Sequence, residues 1–127
     1  MKKLIVVILT SVLILTGCTS AGDSVDLKVS DFSAKTQEMG VVSLDVRTAD
    51  EFAEGHLINA ININVESGNF EAEIEKLDKN TTYAVYCRSG RRSSIAVDLM
   101  KKAGFTSLYN LDGGVIEWSA SGLPLVR

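Results

Sequence analysis

The chain has 127 residues, 46% hydrophobic and 23% charged, with one proline, which fits one ordinary globular domain with a core of its own. A formal charge of −3 offers no bulk attraction to nucleic acid or to an acidic membrane. Against that background the three arginines at 88, 91 and 92 are a local exception.

In chain order, MKKLIVVILTSVLILTGC opens with Lys2 and Lys3 and continues as an apolar run from Leu4 to Leu15. That run falls short of the roughly 20 apolar residues a spanning helix needs. It predicts a secretory signal over residues 1–17, with an uncleaved anchor helix or an ordinary, non-lipidated signal peptide as the alternatives. The end of the run, Leu15-Thr16-Gly17-Cys18, resembles the bacterial lipoprotein signal, in which small residues precede the cysteine that receives lipid. The resemblance implies lipidation at Cys18 and a short polar tether over 18–24. It also implies an exported protein, held at the outer face of the cytoplasmic membrane or in the periplasm. There are two cysteines; with Cys18 lipidated, Cys87 is an unpaired thiol in an oxidising setting and is treated as reactive. No second cysteine lies near it to make a redox pair or a zinc site, and with His56 the sole histidine no metal or other cofactor is expected.

The domain is expected over 25–127. Val25 to Val29 predicts a first short strand, and Ser30 an N-cap for a helix that uses Phe32 and Met39 as apolar positions and stops at Gly40. VVSLDV (41–46) reads as a buried strand. Thr48 and Glu51 form a capping box for a short helix ending near Gly55. Ile61 to Val65 predicts a strand, and Phe70 to Leu77 a helix with Phe70, Ile74 and Leu77 on one face. Thr82 to Tyr86 is a strong apolar strand. Ser93 to Ala103 has Ile95, Ala96, Leu99, Met100 and Ala103 at helical spacing, with Gly104 where a C-cap belongs. Ser107 to Leu111 is a last strand, and Gly113-Gly114 opens a short helix containing Trp118. Strands alternating with helices imply an α/β layered fold with a largely parallel sheet, whose ligands bind beyond the carboxyl ends of the strands.

Cys87 lies at such an end, directly after a strand and before a helix. The first N–H groups of a helix lack intrahelical partners and, with the dipole, favour an anion. Nearby arginines add to that, so Cys87-Arg88-Ser89-Gly90-Arg91-Arg92-Ser93 reads as an anion cradle with a sulfur nucleophile at its base. Gly90 allows the tight turn, and Ser89 and Ser93 offer hydroxyls. A buried structural cysteine is the bland alternative. Two chemistries use such a loop, phosphate-ester hydrolysis and sulfur transfer. Cysteine phosphatases resemble C-x5-R, which would place arginine at 93; here Ser93 stands there, which disfavours a phosphatase or an arsenate reductase.

Four groups of residues, in order, resemble the rhodanese family of sulfurtransferases. They are Leu44-Asp45-Val46-Arg47; Asp50-Glu51-Phe52 with Gly55-His56-Leu57 and Asn59-Ala60; Tyr86 through Ser93; and Leu111-Asp112-Gly113-Gly114 followed by Trp118. The resemblance implies a rhodanese-like three-layer fold, a central, mostly parallel five-stranded sheet flanked by helices. It also implies a two-step reaction in which Cys87 takes sulfur from thiosulfate or a related donor and hands it to cyanide or a cellular thiol. A thiol reductant protein is then an expected partner. A non-catalytic or sulfur-carrier module that binds a partner is the rival from another class.

The remaining signature residues read as scaffold. Asp45 and Arg47 sit at a strand end, with Arg47 expected to pair with Glu51 or Glu54. His56 is expected to bond backbone, and Trp118 to be core or pocket wall. Arg88 is the first choice for binding the donor anion, then Arg92 or Arg91. Arginines 91 and 92 are otherwise a solvated helix start, although positive charge there opposes the helix dipole.

Overall fold

The computed structural model describes residues 24–127; the expected signal segment, Cys18 and most of the tether lie outside the described residues. Five short strands carry the sheet: β1 (Ser24–Leu27), β2 (Val41–Asp45), β3 (Ile61–Asn62), β4 (Thr82–Tyr86) and β5 (Leu108–Leu111). They run in the order β1-β5-β4-β2-β3 and every pairing is parallel. This is the largely parallel α/β sheet expected from the alternation of strands and helices, with the five strands that the family resemblance implies. Strands buried on both faces need apolar side chains at nearly every position, and β4 (TYAVY) meets that demand with four buried residues.

Alternation along β4 divides the core. Tyr83, Val85 and Cys87 point to one face, where α3 (Phe70–Ile74) and α4 (Arg91–Lys102) supply Phe70, Ile74, Val97 and Met100. Ala84 and Tyr86 point to the other, packed with Phe32 of α1 (Val29–Thr36) and Val115 and Trp118 of α5 (Gly114–Ala120). The period of two therefore sends the Cys87 side chain beneath the start of α4.

Several local expectations are corrected. The N-cap of α1 is Lys28, in extended conformation and with no side-chain cap bond, so Ser30 lies inside the first turn. Because α1 ends at Thr36, Met39 falls beyond it and is fully exposed. The third strand is only Ile61–Asn62, yet Ile63 and Val65 still donate to the carbonyls of Asp45 and Val46 at 2.9 and 3.1 Å, an irregular continuation of the ladder. Helix α3 closes at Ile74, and the Leu77 N–H bonds Ile74 in a tighter turn. Helix α4 begins two residues earlier than expected, and Ile95 is half exposed because Ser93, Ala96, Val97 and Met100 face the sheet.

The capping box of α2 (Ala49–Glu54) forms as expected: the Thr48 hydroxyl accepts from the Glu51 N–H, and the Glu51 carboxylate accepts from the Thr48 N–H at 3.0 Å. On the second face Tyr86, wholly buried, anchors the segment after α2: its hydroxyl accepts from the Leu57 N–H at 3.0 Å. Burial holds its phenol far above the usual range. Tyr86→Phe strands the Leu57 N–H inside the core and is expected to cost about 1–3 kcal/mol in urea unfolding; unchanged stability would contradict this role.

Candidate active site

The segment from Cys87 to Gly90 leaves β4 and turns sharply into α4. Gly90 is the N-cap and takes φ 105°, a left-handed conformation that side chains resist. That turn aims the Gly90 N–H at the Cys87 sulfur, 3.0 Å away, and the Ser93 Oγ lies 3.3 Å from the same sulfur. Cys87 is only 1% exposed. Burial alone would raise its thiol pKa, but the Ser93 hydroxyl and the N–H groups of Ser93, Gly90 and Ser89 outweigh it and hold the thiol below its ordinary value. The sulfur thus sits at the base of a ring of donors, the arrangement expected for an anion cradle.

A second turn clamps this loop. Gly114, at φ 58°, lies so close that a Cβ there would stand 2.3 Å from the Arg88 carbonyl oxygen and 2.6 Å from that of Cys87. The first N–H groups of α5 use the opening: Val115 donates to Cys87 O at 3.0 Å and Ile116 to Arg88 O at 3.2 Å. The sequence marks Gly113-Gly114 as a helix start but does not show that it clamps the Cys87 loop.

The arginines separate into two kinds. Arg92 forks onto Glu51, with both nitrogens 2.8 Å from the carboxylate oxygens, and its Nε lies 3.8 Å from Glu66. The anion that offsets its unfavourable place at a helix N-terminus is therefore the protein's own, and not a free site for a ligand. Arg88 and Arg91 are exposed and make no side-chain hydrogen bond or ion pair among the described residues. Ser89 is exposed beside them, while Ser93 is completely buried. Openings on the two sides of the loop are lined by Arg88 with Glu54 and Ile116 and by Arg91 with Glu66 and Ile95.

The expected Arg47 partner is also corrected. Arg47 bonds neither Glu51 nor Glu54; its guanidinium forks onto Asp45, two residues away, at 2.6–3.1 Å, and donates to Gly55 O at 2.7 Å. Glu51 is already committed to Arg92, so the buried Asp45 charge takes the nearer cation. Asn62, which the sequence did not single out, braces this corner by donating to the carbonyls of Asp45 and Arg47. His56 bonds backbone as expected, with Nδ1 2.9 Å from Phe52 O and its ring stacked on Phe52. Trp118 is core, edge-on to Phe32, with Nε1 donating to Pro124 O, and it also walls an apolar cavity of about 360 Å³ with Leu57 and Leu123.

Residues 28–121 match the family model described as the rhodanese-like domain. The chain belongs to the rhodanese-like family. A protein of Allochromatium vinosum named sulfurtransferase is 33% identical over 86 residues, covering 68% of this chain and 78% of that one. A tRNA uridine(34) hydroxylase of Aster yellows witches'-broom phytoplasma is 33% identical over 96 residues, 72% of this chain but 31% of that protein. Among solved structures, a rhodanese-related protein from Thermoplasma volcanium superposes with a TM-score of 0.71 at 27% identity, covering 80% of this chain and 97% of that one. The rhodanese domain thus occurs both by itself and inside larger proteins with other activities.

In this rhodanese domain the Glu51–Arg92 fork joins α2 to the first turn of α4, and it lowers the Glu51 pKa from 4.5 to about 2, with the Arg92 bond the largest cause. A carboxyl depressed in the folded state stabilises the fold above its unfolded pKa. That contribution fades as pH falls through the folded value. Thermal unfolding between pH 5 and pH 2 is therefore expected to show a steeper loss of Tm in the native protein than in Glu51→Gln; parallel curves would contradict the fork's contribution.

Proposed function

We propose that this protein is a sulfurtransferase that moves sulfane sulfur from thiosulfate, or a related small sulfur anion, to a thiophilic acceptor. The observation that carries the reading is a buried sulfur at the base of converging N–H and O–H donors, which hold its thiol below the ordinary value, flanked by two exposed arginines that are not ion-paired among the described residues. The Cys87 thiolate attacks the outer sulfur of thiosulfate; the new sulfur–sulfur bond forms as the old one breaks, and sulfite leaves with the electron pair. Cyanide or a thiolate then attacks the outer sulfur of the Cys87 persulfide, and the Cys87 thiolate leaves with the pair from that bond. Dividing the transfer through a covalent intermediate is nucleophilic catalysis, and the loop donors that hold the thiolate would hold the persulfide anion as an oxyanion hole holds oxygen.

Arg88 and Arg91 supply positive charge at the mouth; Glu54 shares the opening with Arg88 and Glu66 the one with Arg91, but neither arginine is ion-paired among the described residues, so both cations stay available to an anionic donor. Arg92 contributes by fixing the start of α4. Ser93 fills the position where a phosphatase loop would carry its arginine, and its burial against the sulfur leaves no space for a long cation there. The name of the Allochromatium vinosum relative supports sulfur transfer as the chemistry. The lipid anchor expected at Cys18 belongs to the same reading and would place this chemistry outside the cytoplasm, where a thiol protein serves as acceptor or reductant.

The test is thiocyanate formation from thiosulfate and cyanide. The native protein is expected to turn over and Cys87→Ser to lose turnover completely. Equal turnover in Cys87→Ser, or hydrolysis of phosphate esters by a native protein that forms no thiocyanate, would overturn the proposal.

A further inference from the structure

The hydrogen bonds that serve Cys87 continue across the sheet. Three donors reach the Gly90 carbonyl oxygen: the Ser94 N–H at 3.2 Å, the Ser94 hydroxyl at 2.8 Å and the Ser93 hydroxyl at 3.1 Å. A carbonyl oxygen has two lone pairs, and Ser93 has a single hydroxyl proton. That proton has two acceptors in reach, Gly90 O and the Cys87 sulfur. Which one it serves depends on how fully Ser94 supplies the carbonyl.

The Ser94 proton is itself directed. Ser94 Oγ accepts from Asn110 Nδ2 at 3.2 Å, so its own proton is available to Gly90 O. The same amide nitrogen donates to the Asp26 carboxylate at 3.0 Å. An ionised carboxylate only accepts, so Asp26 fixes the amide with its NH₂ towards β1 and α4. The arrangement leaves Asn110 Oδ1 buried with no partner among the described residues. An acceptor left unsatisfied in the core is costly, and the placement of the two N–H bonds is what it secures.

We propose that Asp26, Asn110 and Ser94 are positioning residues for the Cys87 nucleophile: by saturating the Gly90 carbonyl they release the Ser93 hydroxyl proton to the sulfur. With a neutral thiol, the S–H donates to Ser93 Oγ, and the Ser93 proton is left as a third donor crowded onto the already satisfied Gly90 O. When the thiol proton leaves for solvent, the Ser93 hydroxyl turns to the thiolate, and Ser94 keeps the carbonyl satisfied. The relay runs from edge strand β1, through β5, to the loop after β4. The charged groups around the loop are Arg88 and Arg91, Arg92 with Glu51 of α2 and Glu66, Glu54 at the end of α2, and the Asp45–Arg47 pair at the end of β2. None of them bonds Asp26, Asn110 or Ser94, so substitutions in the relay leave those charges in place.

The inference rests on Cys87 acting as a nucleophile, but its test needs no sulfur donor. In the full chain, the rate of iodoacetamide alkylation at Cys87 is followed against pH by peptide mass spectrometry, which separates it from Cys18. Ser94 is exposed, so its substitution is mild. Ser94→Ala is expected to move the alkylation midpoint to higher pH and slow alkylation several-fold at neutral pH, while Ser94→Thr keeps the native profile. Asn110→Ala shifts the profile in the same direction. In a Ser93→Ala background, Ser94→Ala adds nothing, because the proton it controls is gone. A native profile in Ser94→Ala or Asn110→Ala, or a full Ser94→Ala effect in the absence of Ser93, would overturn the relay. Absence of thiosulfate turnover beside a shifted Ser94→Ala profile would count against the proposed reaction and leave the relay standing.

Discussion

A sulfur atom shut out of water at the end of a buried strand must find all its stabilising partners in the protein, and much of this domain is arranged around that constraint. Cys87 belongs to the same alternation as Tyr83 and Val85, so it is as buried as a core residue. Burial disfavours a charged sulfur, and only a set of donors already in place can reverse that preference. The left-handed Gly90 supplies one N–H, the first turn of α4 supplies Ser93, and the Gly114 turn holds the loop from behind through the carbonyls of Cys87 and Arg88. Each feature is a backbone requirement before it is a chemical one.

The charges around the loop follow a division of labour. Buried or half-buried cations are paired within the protein: Arg47 with Asp45, and Arg92 with Glu51. Both pairs are forked, which fixes geometry as well as charge. They lock β2, α2 and α4 around the loop, whereas Arg88 and Arg91 stay in water and are not ion-paired among the described residues. An acidic chain thereby keeps a small positive mouth, and the rigidity behind it comes from bonds that never contact a substrate.

What could be read from the sequence was whatever depends on neighbours in the chain. The β4 run, the Thr48–Glu51 capping box and the order strand, cysteine, glycine, helix are local patterns, and the structure has all three. The four rhodanese-like segments made the sheet and its five strands foreseeable. Contacts between distant residues were not legible. Nothing local says that Arg92 meets Glu51, 41 residues earlier, or that Asn110 joins Asp26 to Ser94. Arg47 illustrates the limit from the other side: two plausible glutamates stood near it, and the choice of Asp45 followed from Glu51 being occupied elsewhere. Met39 and Ile95 fit an apolar pattern yet face solvent, because the helix ended early in one case and turned its face in the other.

Sulfur transfer through this site requires the Cys87 sulfur to accept a second sulfur and hold it until an acceptor arrives. The most direct measurement is the intact mass of the native protein after exposure to thiosulfate and removal of excess reagent, with the added mass assigned to a peptide. The expected result is the mass of one extra sulfur atom, located on Cys87, removed by cyanide and absent in Cys87→Ser. An unchanged mass at Cys87, or sulfur carried by Cys18 alone, would contradict it.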